Sequence, residues 1–287
     1  MTVLEVIRKS AEFLTRHGVE SARLQIELML SHVLSMPRLN LYLQFERILN
    51  EGEVTKLREM VQRRSKREPL QQILGTTSFC GVEIAVSPAV LIPRPETELL
   101  AERAWTWLCA LSPDGKAALQ ALDLCTGSGC LAIAIALNCP AARVFATDLS
   151  NEALEVARGN ASKQSCGDRV VFSQGDLFAA LPGDMRFDLI VANPPYVPTA
   201  TISGLDPEVR DFDPRMALDG GEDGLMFYRR LAAEAGRWLA PGRCMMLEFG
   251  EDQSLEIRRI LESENWIVTA VESDYNQRER FLVASYR

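Results

Sequence analysis

Asn193-Pro194-Pro195-Tyr196 is the segment of this sequence whose residue types are most committed to chemistry. Consecutive prolines lock φ and remove backbone N–H donors, so the segment is stiff and presents carbonyl acceptors. Such a loop is built to hold a donor. A planar NH2 group, whether amide or aromatic, delocalises its lone pair and attacks a methyl group poorly unless its hydrogens are held and the lone pair is aimed. The Asn193 side-chain oxygen and the Pro194 carbonyl are each suited to accept one N–H, and the Tyr196 ring to stack on the planar group. Because the proton can leave after the transfer, orientation alone supplies on the order of 7 kcal/mol or more without a strong base. The only histidines, His17 and His32, lie near the N-terminus with no cysteine or carboxylate cluster at ligand spacing, so no metal and no histidine base is expected.

A second constellation precedes that loop. Asp123-Leu124-Cys125-Thr126-Gly127-Ser128-Gly129 follows an apolar run and leads into the helical stretch Cys130 to Leu137. A strand, a glycine turn and a helix in succession set backbone N–H groups and a helix N-terminus beside a ligand. Asp148 ends the next apolar run about twenty residues on, where an acid accepts from both ribose hydroxyls of an adenosine. Gly127, Gly129 and Ala132 also satisfy GxGxxA, so a nicotinamide dinucleotide competes with S-adenosylmethionine. Asp123 favours the latter: a carboxylate at the base of the loop repels a pyrophosphate and suits a ligand carrying an ammonium and a sulfonium. Asp176, in Gly175-Asp176-Leu177-Phe178, is placed to accept from an adenine amino group while Leu177 or Phe178 packs on the ring.

The elements that must position these residues alternate along the chain. Apolar runs at 121–124, 144–146, 170–172, 189–192, 244–249, 267–271 and 281–284 are separated by helix-length segments, the pattern of a parallel α/β sheet covered on both faces. Before them, Thr2 and Glu5 form a capping box, with Leu4, Ile7, Ala11 and Leu14 at helical spacing up to Gly18. Ser21 is expected to cap a second helix bearing Leu24 and Leu28, and Val54, Leu57 and Met60 or Val61 mark another that ends near Arg64. The domains expected are a helical bundle over 1–74, a hairpin or linker over 75–95 with β-like pieces at 79–84 and 90–92, and an α/β domain over 96–287.

Composition narrows the setting. A 47% hydrophobic chain of 287 residues buries a sizeable core, and no apolar run approaches the roughly 18 residues of a membrane span. Seven cysteines, an odd number without a CxxC pair, speak against a disulfide framework or a zinc ribbon. A reduced, cytoplasmic protein without a membrane anchor is expected. The formal net charge of −8 has the wrong sign for neutralising many phosphates, and the one basic run is Arg63-Arg64-Ser65-Lys66-Arg67.

Further segments carry a family resemblance: Glu68-Pro69-Leu70-Gln71 to Gly75, Phe79 and Gly81, Leu91-Ile92-Pro93-Arg94-Pro95-Glu96-Thr97-Glu98, Phe212 to Leu225, and Glu248-Phe249-Gly250. With the glycine loop and NPPY, they make the chain resemble the protein-(glutamine-N5) methyltransferases that act on peptide chain release factors. The resemblance implies a class I, Rossmann-like α/β fold with a seven-stranded sheet, a small N-terminal helical substrate-binding domain and a β-hairpin linker. It implies S-adenosylmethionine as cofactor, with S-adenosylhomocysteine as product, and the glutamine of a release factor Gly-Gly-Gln loop as substrate. By the same resemblance residues 125 to 129, Asp148, Leu177 and Asn193 contact the cofactor and residues 193 to 196 the glutamine. A monomer with no direct nucleic-acid contact is expected. The sequence departs from the family at Cys125 and Gln277, where glycine is usual. NPPY is shared with adenine-N6 and guanine-N2 nucleic-acid methyltransferases, which form the alternative reading and call for a basic, aromatic-bearing surface. A binding module without turnover is the other.

Overall fold

Thr2 and Glu5 close the first helix at its start: Glu5 N–H donates to Thr2 Oγ1 at 3.3 Å and Thr2 N–H to Glu5 Oε2 at 3.0 Å. A computed structural model describes every residue from 1 to 287. In chain order it contains α1 (Val3–Arg16), α2 (Ala22–Val33), α3 (Arg38–Tyr42), α4 (Glu51–Ser65), α5 (Leu70–Leu74), β1 (Thr76–Phe79), β2 (Val82–Ala85), α6 (Pro95–Leu111), β3 (Leu119–Leu124), α7 (Cys130–Asn138), β4 (Ala142–Asp148), α8 (Asn151–Lys163), β5 (Val170–Gln174) and β6 (Phe187–Ala192). After these come α9 (Pro207–Arg210), α10 (Arg215–Leu218), α11 (Met226–Glu234), β7 (Leu239–Glu248), α12 (Ser254–Ser263), β8 (Trp266–Ser273) and β9 (Glu279–Tyr286). The chain divides into two units, Met1–Thr76 with Asp206–Phe212, and Thr77–Leu205 with Asp213–Arg287.

The first unit is helical, and its core differs in detail from the expected stripes. Val3, Val6, Ile7 and Leu14 are the buried face of α1, whereas Leu4 is 45% exposed, because the face is centred about one residue away from it. On α2 the buried face is Ala22, Ile26, Met29 and Leu30, and Leu24 points outward. Ser21 does not cap α2 through its side chain: it sits at φ 48°, outside the extended region an N-cap requires. Glu27 lies within the buried face of α2 and receives Arg23 at 3.0 Å, Arg38 at 3.2 Å and the Tyr42 hydroxyl at 2.9 Å, which satisfies a carboxylate that burial alone makes costly. The returning segment carries Glu208, clasped by Arg67 through two 2.6 Å contacts and by Arg64 at 2.8 Å. Burial works against the Glu208 charge, and the guanidiniums overcome it, holding the carboxyl below its usual range.

The second unit is built on a seven-stranded sheet in the order β5-β4-β3-β6-β7-β9-β8. All seven strands fall on the apolar runs expected of them. The sheet is mixed, not wholly parallel as the alternation suggested: β9 lies antiparallel between β7 and β8. The short 274–278 connection between β8 and β9 is the cause, since parallel neighbours need a long crossover. Asp274 organises that turn, accepting from Asn276 N–H at 2.8 Å and Arg278 N–H at 3.0 Å, and Gln277 stands at φ 63°. A glycine there would be free of the left-handed penalty that the Gln277 side chain carries. Residues 90–92 are not a strand. Pro88 and Pro93 flank them, Val90 N–H closes a turn on Ser87 O at 3.2 Å, and Val90 and Ile92 are buried without strand pairing.

Alternate residues of each central strand pack on opposite faces. Ala121, Val144, Leu189, Val191 and Met246 join α6 and α7 in one core, while Leu122, Leu124, Ile190, Met245 and Leu247 join α11 and α12 in the other. Asp123 shares the face of Ala121 and so points at the start of α7. This covered, two-faced sheet leaves the carboxyl ends of its parallel strands as the place for a ligand.

Candidate functional site

β3 is the centre of the site because the chain turns to opposite sides of it. It pairs with β4, Leu124 opposite Thr147, and with β6, Leu124 opposite Ala192; β6 in turn places Ala192 opposite Leu247 of β7. Cys125, Asp148, Asn193 and Glu248 are the next residues of these four strands. Strand order thus gathers at one edge groups that lie far apart in sequence, at a topological switch point.

The glycine loop is shaped by its own backbone. Cys125, Gly127 and Gly129 have φ of 57°, 53° and 79°. Cys125 thus occupies a left-handed conformation that costs a side-chain-bearing residue roughly 1–2 kcal/mol and a glycine almost nothing. At Gly129 a Cβ would sit 3.0 Å from the Ala157 methyl, so glycine lets α7 and α8 meet. Asp123 lies beneath the loop, wholly buried. Its Oδ2 accepts from Thr126 Oγ1 at 2.6 Å and from Ala132 N–H at 3.2 Å, while its Oδ1 has no partner. Burial pushes its carboxyl up to about 7, against the Thr126 and Ala132 bonds and reinforced by the charge of Asp148. Asp148 accepts from Gly127 N–H and Ser150 N–H, each at 2.9 Å, which tie the loop to the end of β4. Burial raises its proton affinity and these N–H groups oppose the rise.

A cavity of about 270 Å³ opens over this edge. Among the candidates from sequence, Cys125, Gly127, Asp148, Asp176, Leu177, Asn193 and Pro195 line it. Asp123, Thr126, Ser128, Gly129, Pro194 and Tyr196 do not: Asp123 lies beneath the loop, Thr126 and Ser128 are buried loop positions, Pro194 sits between the two lining residues of NPPY and Tyr196 follows them. Asp176 is already held by Arg230 in two contacts of 3.0 and 2.9 Å, a pairing that competes for the lone pairs assigned to an adenine amino group. Leu177 is at φ 51°, an unusual conformation for a branched side chain, and it marks a strained position at the cavity wall. Sequence reasoning missed the lining residues Leu149 and Phe227. Leu149 carried a signal, being an apolar residue directly after the acid of β4 that remains 55% exposed. Phe227 carried none.

The NPPY loop is gripped from behind. Gln253 donates from Nε2 to the Tyr196 carbonyl at 3.0 Å and accepts Gly250 N–H at 2.9 Å. Val197 N–H donates to Leu218 O and Gly220 N–H to Val197 O, which lay the segment after Leu218 along the loop. Glycines make the approach possible. A Cβ at Gly220 would stand 2.8 Å from the Pro195 carbonyl oxygen, one at Gly250 would stand 3.0 Å from the Tyr196 ring, and one at Gly224 would overlap the Tyr196 carbonyl oxygen. The Asn193 side chain donates from Nδ2 to Thr97 Oγ1 at 3.3 Å, and its Oδ1 takes no donor from the chain. Burial pushes the Tyr196 hydroxyl up to about 12, so the ring is neutral. Three of the four basic residues of the run are paired internally, Arg63 with Glu68 and Arg64 and Arg67 with Glu208, which leaves only the exposed Lys66 unpaired. A single free lysine is far short of the several cations that phosphate neutralisation calls for.

Comparison with known proteins agrees with this architecture. A family model described as the PrmC N-terminal domain matches residues 5–75, and one described as the methyltransferase small domain matches residues 108–204. The release factor glutamine methyltransferase of Geobacter sulfurreducens is 46% identical over 253 residues, covering 88% of this chain and 86% of its own. That of Chlorobaculum tepidum is 39% identical over 284 residues, covering 98% and 96%. A methyltransferase from Pyrococcus furiosus, 19% identical with a TM-score of 0.55 over 78% of this chain and 97% of its own, shares the fold. No helix is long and apolar enough to cross a membrane. From its α/β sheet, its glycine and NPPY loops and these identities over most of its length, the chain belongs to the release factor glutamine methyltransferase family.

Proposed function

We propose that the protein transfers a methyl group from S-adenosylmethionine to the side-chain amide nitrogen (N5) of the glutamine in the Gly-Gly-Gln motif of a peptide chain release factor. The observation that carries this reading is that Asn193 and Pro195 of NPPY line the same cavity as Cys125, Gly127 and Asp148. An acceptor for an NH2 group and a cradle for an adenosine are thereby set side by side. Bound there, S-adenosylmethionine supplies an electrophilic methyl on a sulfonium.

The residues present fit that cofactor. Each Asp148 oxygen has taken one backbone N–H and keeps lone pairs for a ribose hydroxyl, while Leu149, Leu177 and Phe227 offer apolar walls for a ring. The unpartnered Asp123 Oδ1 keeps lone pairs beneath the loop, and a cationic ligand bound above it would favour the ionised form that burial opposes. We assign cofactor contacts to the cavity-lining Cys125, Gly127, Asp148, Leu177 and Asn193, with Thr126, Ser128 and Gly129 shaping the loop that carries them, Asp123 acting from below and Asp176 through the lone pairs Arg230 leaves free. On the substrate side Asn193 Oδ1 accepts one N–H of the amide, the Pro194 carbonyl accepts the second, and the Tyr196 ring stacks on the plane. The lone pair then faces the methyl, and the proton departs after transfer. The helical unit is the proposed binding surface for the protein substrate, and the proposed setting is a cytoplasmic monomer without direct nucleic-acid contact.

Incubating the protein with labelled S-adenosylmethionine and a cell extract tests the assignment: label in a release factor is expected, and label in nucleic acid alone would replace it with the base-methylating reading. Asp148→Ala is expected to weaken cofactor affinity by roughly ten- to a hundredfold, the scale of about 1.5–3 kcal/mol for hydrogen bonds to a charged group. Saturating cofactor should restore most of kcat, since the ribose is remote from the methyl. A drop in kcat at unchanged cofactor affinity would remove Asp148 from the ribose.

A further inference from the structure

Glu248, the last residue of β7, is 4% exposed, and its Oε2 has no partner. A carboxylate in such a place is costly, and the amide grip does not use it directly. Its neighbours suggest its use. Thr97, in the first turn of α6 and 2% exposed, accepts from Asn193 Nδ2 on Oγ1 at 3.3 Å, and both side chains lie beside the Glu248 carboxyl, where they favour its charged form. Glu96 comes from the same helix, Arg280 from β9 and Tyr196 from the NPPY loop, and the Tyr228 hydroxyl of α11 donates to the Glu248 backbone carbonyl at 2.7 Å.

An asparagine and a threonine can bond in two senses: the Asn N–H donates to the hydroxyl oxygen, or the hydroxyl donates to the Asn carbonyl oxygen. Only the first turns Oδ1 toward the cavity as an acceptor for a substrate NH2. An ionised carboxylate has acceptors and no donor. Beside Thr97 it draws the hydroxyl proton to itself, so the Thr97 lone pairs remain for Asn193 Nδ2. The polarity of the chain from Glu248 through Thr97 to Asn193 then runs one way only.

We infer that Glu248 is a positioning residue that acts through Thr97 to hold the Asn193 amide with Nδ2 inward and Oδ1 toward the methyl acceptor. The inference rests on the role proposed above for Asn193. Burial pushes the Glu248 carboxyl up to about 7, Glu96 reinforces the rise, and Thr97, Arg280 and Asn193 oppose it. The acceptor-only form therefore forms as pH rises through neutrality. The protonated form carries an O–H, can donate to Thr97, and releases the constraint.

The test uses the full chain and two readouts. In the ¹⁵N-labelled protein the Asn193 side-chain amide resonance is expected to titrate near pH 7 and to be flat in Glu248→Gln, which keeps the shape and supplies a donor. This measurement does not depend on the methylated substrate, so it fails or succeeds apart from the functional reading, which fails if the unaltered protein leaves release factors unmethylated. In turnover with a release factor, Glu248→Gln and Thr97→Val are expected to lower kcat about tenfold and to lose the acid limb of the pH profile. S-adenosylmethionine affinity should stay within about twofold, and Thr97→Ser should retain most activity. An Asn193 resonance that does not titrate, or equal turnover for Thr97→Ser and Thr97→Val, would overturn the inference, and either result stands even if Glu248→Gln fails to fold.

Discussion

Asn193→Ala is expected to lower turnover on a release factor by about tenfold to a thousandfold while the protein folds and binds cofactor. The reason is geometric. Asn193 is half-buried at the end of β6, its Nδ2 bonded to Thr97 and its Oδ1 without a donor from the chain, so truncation removes the one side-chain acceptor that NPPY presents to a substrate amide. The amide then keeps only backbone contacts, and its lone pair is no longer aimed. Turnover assays at saturating cofactor, with circular dichroism to check folding, give the answer. Near-normal turnover would mean that the amide is held by other groups.

Gly224→Ala is expected to lower turnover by about a hundredfold or more without changing any residue that touches a ligand. Gly224 has φ 77°, and a Cβ built on it overlaps the Tyr196 carbonyl oxygen and lies 2.7 Å from Gln253 Nε2. The left-handed backbone adds roughly 1–2 kcal/mol and overpacking typically 1–3 kcal/mol, so the NPPY loop must move or Gln253 must release it. A displacement of about 1 Å in a positioning site suffices for a loss of this size. Gly204→Ala is the matched control, since nothing lies within 4 Å of its built Cβ and its φ is not positive. Equal activity of the two variants would mean that the backing of NPPY is compliant.

Much of this was legible in the sequence, and the residues show where legibility stopped. The strand runs were readable because strands buried on both faces are continuously apolar, and the helices between them left room for the crossovers. The adjacency of Cys125 and Asn193 followed from both sitting at strand carboxyl ends. Strand order itself is written in no local pattern, so the approach of Glu248 to Asn193 across β6 and β7 and that of Thr97 from α6 were invisible. The same holds for Glu208, whose arginine partners lie 141 and 144 residues away. Local signals misled where alternatives were close in energy: Leu4 and Leu24 obey a helical period yet lie one residue off the buried face, and Ser21 has the right side chain in the wrong backbone region. Asp176 illustrates a third limit. An acid at a strand end reads as free, and Arg230 that pairs with it arrives from 54 residues further on.

The central claim is that NPPY holds a glutamine side-chain amide for methylation. Its most direct test is fragmentation mass spectrometry of a purified release factor after incubation with the protein and S-adenosylmethionine. One added methyl group on the side-chain nitrogen of the Gly-Gly-Gln glutamine, absent when Asn193→Ala replaces the protein, is the predicted result. A methyl group on any other atom, or the same glutamine methylated equally by Asn193→Ala, would contradict it.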